Sequence, residues 1–169
     1  MPYYQQFGWK AGDMRSAETA NDFATLADVI DEVIESYKNQ AREFVYVCCI
    51  LPTAPLITLE NLKKGLDLMI DRKADSVRPL VRFSFTIQRA VKLKDGKTEM
   101  FYPEYRTSRS QDLEPAYHDA GQFYWMSFEK GLRGANKVGF EIPEIIASDI
   151  DTIEDWVMAE LKYRLLNQK

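Results

Sequence analysis

The chain has 169 residues, 46% of them hydrophobic, a formal net charge of −4 and a pI near 5.2. That size and composition suit one compact domain with its own core. They exclude the broad basic field of a nucleic-acid binder, and no apolar run approaches the roughly 18 to 20 residues of a membrane span.

The opening MPYYQQFGWKAG lacks a basic segment followed by an apolar one, so no signal peptide is expected. Adjacent Cys48 and Cys49 would point to opposite faces of a strand and not bridge. Reduced thiols of this kind place the chain in the cytoplasm.

Residues 22–38 form the first expected helix. Phe23, Leu26, Ala27, Ile30, Val33, Ile34 and Tyr37 share one face, with Asn21 or Asp22 as cap. FVYVCCIL, 44–51, is apolar on both faces and reads as a buried parallel strand. PTAP, 52–55, ends it. Thr58 opens a second helix whose Leu59, Leu62, Leu66 and Met69 share a face. DSVRPLV, 75–81, is a further strand.

The Asp95-Gly96 pair between FSFTIQRAVKL and KTEMFY predicts a hairpin. QFYWMSF, 122–128, and KVGFEIP, 137–143, read as strands. The last helix spans about 152–166, with Ile153, Trp156, Val157, Leu161 and Leu165 expected inward. The alternation indicates a single α/β domain, 1–169, with a β-rich arm at about 83–128.

Asp149-Ile150-Asp151 is a D-x-D. Two converging carboxylates suit Mg²⁺, which takes few protein oxygens. The same stretch can start the last helix, with Asp151 or Thr152 as cap and Glu154 or Asp155 closing a capping box. Spacing alone favours the cap, and the two roles are compatible. No G-x-x-x-x-G-K-[ST] or G-x-G-x-x-G loop occurs, and GLRGA, 131–135, reads as a turn. RTSRSQDLEPAYHDAGQFYW, 106–125, is rich in groups that bind anions and sugars. Arg106 and Arg109 suit a carboxylate or phosphate, Gln111 and Tyr117 suit hydroxyls. A solvated loop or a subunit contact is the plainer reading. His118, the sole histidine, has no cysteine or serine partner at a telling spacing.

Taken together, "PTAPL", "RSQDLEPAYHDAGQFYW" and "DIDTIEDW" resemble the CMP-sugar synthetases, the acylneuraminate cytidylyltransferases. "CCILPTAPL", "IQRA" and "QDLEPAYHDAGQFYW" look most like their pseudaminic acid branch. The resemblance covers almost the whole chain, in order. It implies a Rossmann-like nucleotide-diphospho-sugar transferase fold and a homodimer built through the β-rich arm. The implied reaction joins CTP and a nine-carbon keto-sugar acid into CMP-sugar and pyrophosphate, with Mg²⁺ offsetting phosphate charge. By motif it assigns Asp149 and Asp151 to the metal, Arg15 and Thr25 to the catalytic cleft, and Pro52 and Thr53 to the loop after the strand. Arg109 and Gln111 fall to the sugar acid or the neighbouring subunit.

Two departures accompany the resemblance. Leu51 stands where sialic acid synthetases often carry a glutamine that reaches the sugar, so a different sugar acid is expected. The chain also enters the family pattern at the third strand, and the first strand and its arginine-glycine-serine-lysine phosphate loop are not found in it. An N-terminally truncated fold is therefore expected, with open strand edges and weak Mg²⁺ binding. A non-catalytic dimeric binding module is the alternative. A glycosyltransferase using the D-x-D with another nucleotide sugar is a third reading.

Overall fold

The computed structural model describes residues 15–168; the opening MPYYQQFGWKAGDM lies outside them. Helix α1, Leu26–Asn39, begins where Thr25 caps it. The Thr25 hydroxyl accepts from the Asp28 amide, and the Asp28 carboxylate accepts from the Thr25 amide at 2.8 Å. This reciprocal box replaces the expected start at Asn21 or Asp22. Asn21 instead closes a turn by accepting from the amides of Phe23 and Ala24, which leaves Phe23 93% exposed. Ile30 and Ile34 are the buried residues of α1.

Strand β1, Tyr46–Ile50, is followed by helix α2, Leu59–Asp71, which Thr58 caps as expected. Strand β2, Ser76–Arg82, comes next. A hairpin of β3, Val91–Lys94, and β4, Lys97–Met100, turns at Asp95 and Gly96, both at positive φ. That is the backbone an Asp-Gly two-residue turn favours. Strand β5, Tyr117–Asp119, strand β6, Phe123–Ser127, and strand β7, Lys137–Glu141, precede helix α3, Ile153–Asn167.

In the main sheet β1 pairs β6, β6 and β5 both pair β2 along one edge, and β7 pairs β2 along the other. β7 pairs β2 in parallel, whereas β5 and β6 pair it antiparallel. The fold is therefore mixed α/β. Two sequence expectations change here. β1 is not flanked by parallel neighbours: it pairs antiparallel with β6 and ends the sheet among the described residues. Phe123–Ser127 lies between β1 and β2 in this sheet rather than in an arm. Only β3 and β4 form a separate two-stranded sheet.

β5 and β6 are one strand broken in the middle. Both lie along the same edge of β2, paired at Ser76–Val77 and at Leu80–Arg82, with a gap between. Pro79 sits in that gap. Its carbonyl accepts from Ala120 at 3.1 Å, so its missing N–H faces the same side. A proline inside a sheet is tolerated where the ladder is interrupted. The interruption is Gly121, at φ +62.

One face of the sheet packs Val77, Val81, Phe123 and Phe140 with Met69 of α2. Tyr124, Met126 and Phe128 pack with Ile30 and Ile34 of α1. Cys48 and Cys49 are free thiols. Burial first, and the neighbouring Cys49 second, push the Cys48 thiol up to about 12, so it stays protonated at neutral pH.

α3 departs most from its expected face. Its one buried residue is Ala159. Ile153 is 81% exposed, and Trp156, Val157, Leu161 and Leu165 are each more than half exposed. They face solvent rather than a core.

Two outcomes follow for stability. Phe123→Ala, at a fully buried site, is expected to cost about 3–5 kcal/mol, while Leu161→Lys changes stability by less than about 0.5 kcal/mol. Urea titration of both variants checks this, and equal losses would contradict the placement of α3. The second outcome concerns acid. Hydrogen bonds from the Thr25 hydroxyl and amide, then from Arg133, hold the Asp28 carboxyl at about 2 against an ordinary 3.8. A carboxyl depressed in the folded state stabilises above its unfolded pKa and loses that contribution as pH falls through the folded one. The stability gap between the parent and Asp28→Asn should therefore close between about pH 4 and pH 2. A gap that stays constant in thermal melts across this range would exclude the capping carboxylate as its source.

Candidate functional site

β1, β2 and β7 run in the same direction, so their C-terminal ends share one edge of the sheet. α/β sheets place ligands at this edge. Three segments meet there. The Leu51 amide, just past β1, donates to the Gln122 carbonyl at 2.9 Å. The Ile150 amide donates to the Thr53 carbonyl at 3.2 Å. The Gln122 side chain, fully buried, donates through Nε2 to the Ile146 carbonyl at 2.6 Å. The loop carrying Pro52 and Thr53, the break in the β5–β6 strand and the Asp149–Asp151 segment are thus tied into one cluster.

Asp149 lies directly over Gly121. A Cβ built on Gly121 would fall 2.5 Å from Asp149 Oδ2 and 2.9 Å from its Cγ. No side chain larger than hydrogen fits while Asp149 stays in place. The Gly121 amide donates to Asp119 Oδ1 at 3.0 Å, and Arg78 donates to Asp119 Oδ2 at 3.0 Å. Arg78 also lies over the Tyr124 ring, 5.3 Å from its centroid. Burial, and then the Asp119 charge, push the Tyr124 hydroxyl well above its ordinary range, so it remains a neutral donor. Sequence reading passed over Arg78, Asp119, Gly121 and Tyr124. The available signal was Pro79 within an otherwise regular strand pattern, which marks a ladder break.

The helix-start question at the D-x-D resolves onto Thr152 and Asp155, each one of two residues expected for its role. Thr152 caps α3 by accepting from the Asp155 amide, and Asp155 returns the bond to the Thr152 amide at 2.8 Å. Asp151 contributes only its amide, which donates to Asp155 at 3.2 Å. The carboxylates of Asp149 and Asp151 carry no hydrogen bond or ion pair among the described residues, and both residues are exposed. Two open hard-oxygen donors fit a cation such as Mg²⁺, which keeps several waters. Among the described residues no group of three or more His, Cys, Asp or Glu converges on a metal position.

Arg15, Thr25, Arg109 and Gln111 have surroundings of their own. The Thr25 hydroxyl is engaged in the α1 capping box. Arg15 is exposed near Glu32, whose carboxylate accepts from Thr19 and from the Ser16 amide. Those bonds, with a smaller contribution from the Arg15 charge, hold the Glu32 carboxyl below its usual range. Neither Arg15 nor Thr25 has a polar partner in the Asp149 cluster. Arg109 forms a two-pronged pair with Asp112, at 2.7 and 3.1 Å. Gln111 lines a cleft of about 890 Å³ between the C-terminal ends of β2 and β7 and the segment that carries the hairpin, together with Arg82, Arg89 and Ser110. The His118 ring packs on Phe83 and bonds the Asp119 carbonyl through Nδ1 at 2.8 Å. Gly131, in the GLRGA stretch, adopts φ +54 in a tight turn against α1.

No family model matches the chain. A pseudaminic acid cytidylyltransferase of Campylobacter jejuni is 32% identical over 167 residues, covering 95% of this chain and 72% of that protein. An N-acylneuraminate cytidylyltransferase A of Danio rerio is 31% identical over 153 residues, covering 86% of this chain and 34% of that protein. A Helicobacter pylori protein named for both pseudaminic acid cytidylyltransferase and a UDP-sugar hydrolase is 26% identical over 152 residues. With the loop after β1, the Gly121 break and the D-x-D meeting at one edge of the sheet, this chain belongs to the CMP-sugar synthetase family, which includes the pseudaminic acid cytidylyltransferases.

Proposed function

We propose that the chain works in CMP-sugar synthesis, transferring the cytidylyl group of CTP to the anomeric hydroxyl of a nine-carbon keto-sugar acid and releasing pyrophosphate. The observation that carries this reading is the seating of Asp149 against Gly121 beside the Thr53 loop, in a chain of this family. A pseudaminic-type acid is the preferred substrate class. Leu51 follows β1 at this edge, and an alkyl side chain offers no hydrogen bond to a sugar hydroxyl or amide. A Rossmann-like closure of the sheet, a homodimer through the hairpin segment and a cytoplasmic location belong to the same reading.

Asp149 and Asp151 would hold Mg²⁺. That ion, when bound, supplies charge that offsets the developing negative phosphate oxygens. The chain's own residues do the rest. The Thr53 loop borders the site, where the Ile150 amide fixes its carbonyl. Gln111 and Arg89 line the adjacent cleft, which is wide enough for a sugar acid and offers a positive charge to its carboxylate. The sugar hydroxyl attacks the α-phosphorus, the bond to pyrophosphate breaks, and the hydroxyl proton passes to solvent.

A second reading keeps the family and drops the transfer step. It makes the chain a dimeric sugar-binding or interaction module of the same family.

The experiment is pyrophosphate release by the chain with CTP, Mg²⁺ and either pseudaminic or N-acetylneuraminic acid. Synthesis predicts turnover with the former, and a loss of about 100-fold or more in Asp149→Asn. No release at any Mg²⁺ concentration, with the sugar acid still binding by calorimetry, would favour the module.

A further inference from the structure

The carboxylate of Asp149 makes no hydrogen bond to a described residue, and it lies against Gly121. Asp149 Oδ2 rests where a side chain on Gly121 would stand, so the position of that carboxylate depends on the Gly121 backbone. Gly121 is at φ +62, a conformation that glycine adopts without steric cost. Two constraints hold it. Opposite the break, Pro79 offers no amide, so β2 cannot draw the segment into a regular ladder. From the other side, Asp119 Oδ1 accepts from the Gly121 amide and so closes a short side-chain-to-backbone turn.

Asp119 is itself fixed. Arg78 donates to its second oxygen at 3.0 Å, and the Arg78 guanidinium lies over the Tyr124 ring. Arg78 and Asp119 are only about a third exposed, 29% and 32% by side chain. A turn closed by a free aspartate would sample other rotamers. One whose carboxylate is held from both sides does not.

We propose that Arg78 and Asp119 are positioning residues for the Asp149 carboxylate, acting through the Gly121 turn. This rests on the reading of Asp149 as a divalent-cation ligand, and it adds residues that never touch the ion. Groups that orient a metal ligand from behind commonly change metal affinity by about 10- to 100-fold when removed. Here the orientation passes through the shape of the backbone that the carboxylate rests on, rather than through a bond to the carboxylate.

The test uses Mn²⁺ alone as the probe, since hard oxygen sites of this kind also take Mn²⁺. Binding to the full chain is followed by the electron paramagnetic resonance signal of free Mn²⁺, and thermal unfolding is recorded for each variant. Asp119→Ala is expected to weaken Mn²⁺ by about 10-fold or more, and Arg78→Ala by a similar factor. Asp119→Asn keeps an oxygen for the Gly121 amide and should recover part of the loss. Lys130→Ala, which removes the ion pair with Asp75 before the start of β2, should leave Mn²⁺ affinity unchanged whatever it does to unfolding.

Parent affinity in Asp119→Ala, or an equal loss in Lys130→Ala, overturns the proposal. Should Asp119→Ala fail to fold, Asp119→Asn and Arg78→Lys decide the matter: affinity unchanged in both overturns it, and a graded loss supports it. The two ideas separate cleanly. Mn²⁺ binding lost in Asp149→Asn but intact in Asp119→Ala sinks the positioning alone. No Mn²⁺ binding by the parent sinks the cation reading and the positioning with it.

Discussion

The missing amide of Pro79 is the constraint on which the site depends. A sheet of hydrogen-bonded strands tolerates a proline only where pairing stops, and pairing between β2 and its antiparallel neighbour stops there. The freed neighbour turns through a left-handed glycine. That turn leaves a bare Cα facing outward, and Asp149 rests on it. The Leu51 and Gln122 bonds then bring the end of β1 to the same place. The ladder break at Pro79, the Gly121 turn that Asp119 closes and the Asp149 carboxylate lie one against the next.

The rest of the sheet supports that edge. Phe123, Val77 and Phe140 lock β6, β2 and β7 together on the α2 side, next to the break rather than at it. Fully buried Gln122 spans from the strand to the Ile146 carbonyl, although its Oε1 has no partner. Burying such an amide is costly unless it is bonded, and the single Nε2 bond binds the D-x-D approach to the sheet. α3 contributes its capped start and little burial. Its Thr152–Asp155 box completes the helix and leaves Asp149 and Asp151 uncommitted. The start of a helix and a pair of open carboxylates coexist in the seven residues 149–155 because a threonine takes the cap.

Local signals were legible wherever the chemistry was local. Thr58 at the start of α2 and Asp95-Gly96 in the hairpin were read directly, since caps and two-residue turns depend on the residues that make them. The cap of α1 was placed three or four residues early, because Asn21 has the same side-chain chemistry as a cap and closes a turn of its own. Faces were less legible. The apolar residues of α3 read as an inward face, but spacing does not say whether a face meets a core. β1 looked like a central parallel strand because apolar residues on both faces carry no record of which neighbour pairs with them.

The amino-acid sequence by itself determined the family, through motifs in order, together with the helix starts, the hairpin and the free, unbridged cysteines. Only the tertiary structure decided which carboxylates stay open, which strand flanks β1 and where Arg78, Asp119 and Gly121 belong. The physical reason is range. Caps and turns are closed by residues three or four apart. The site joins residues 51–53, 78–79, 119–122 and 146–151, and only the sheet brings those segments to one edge.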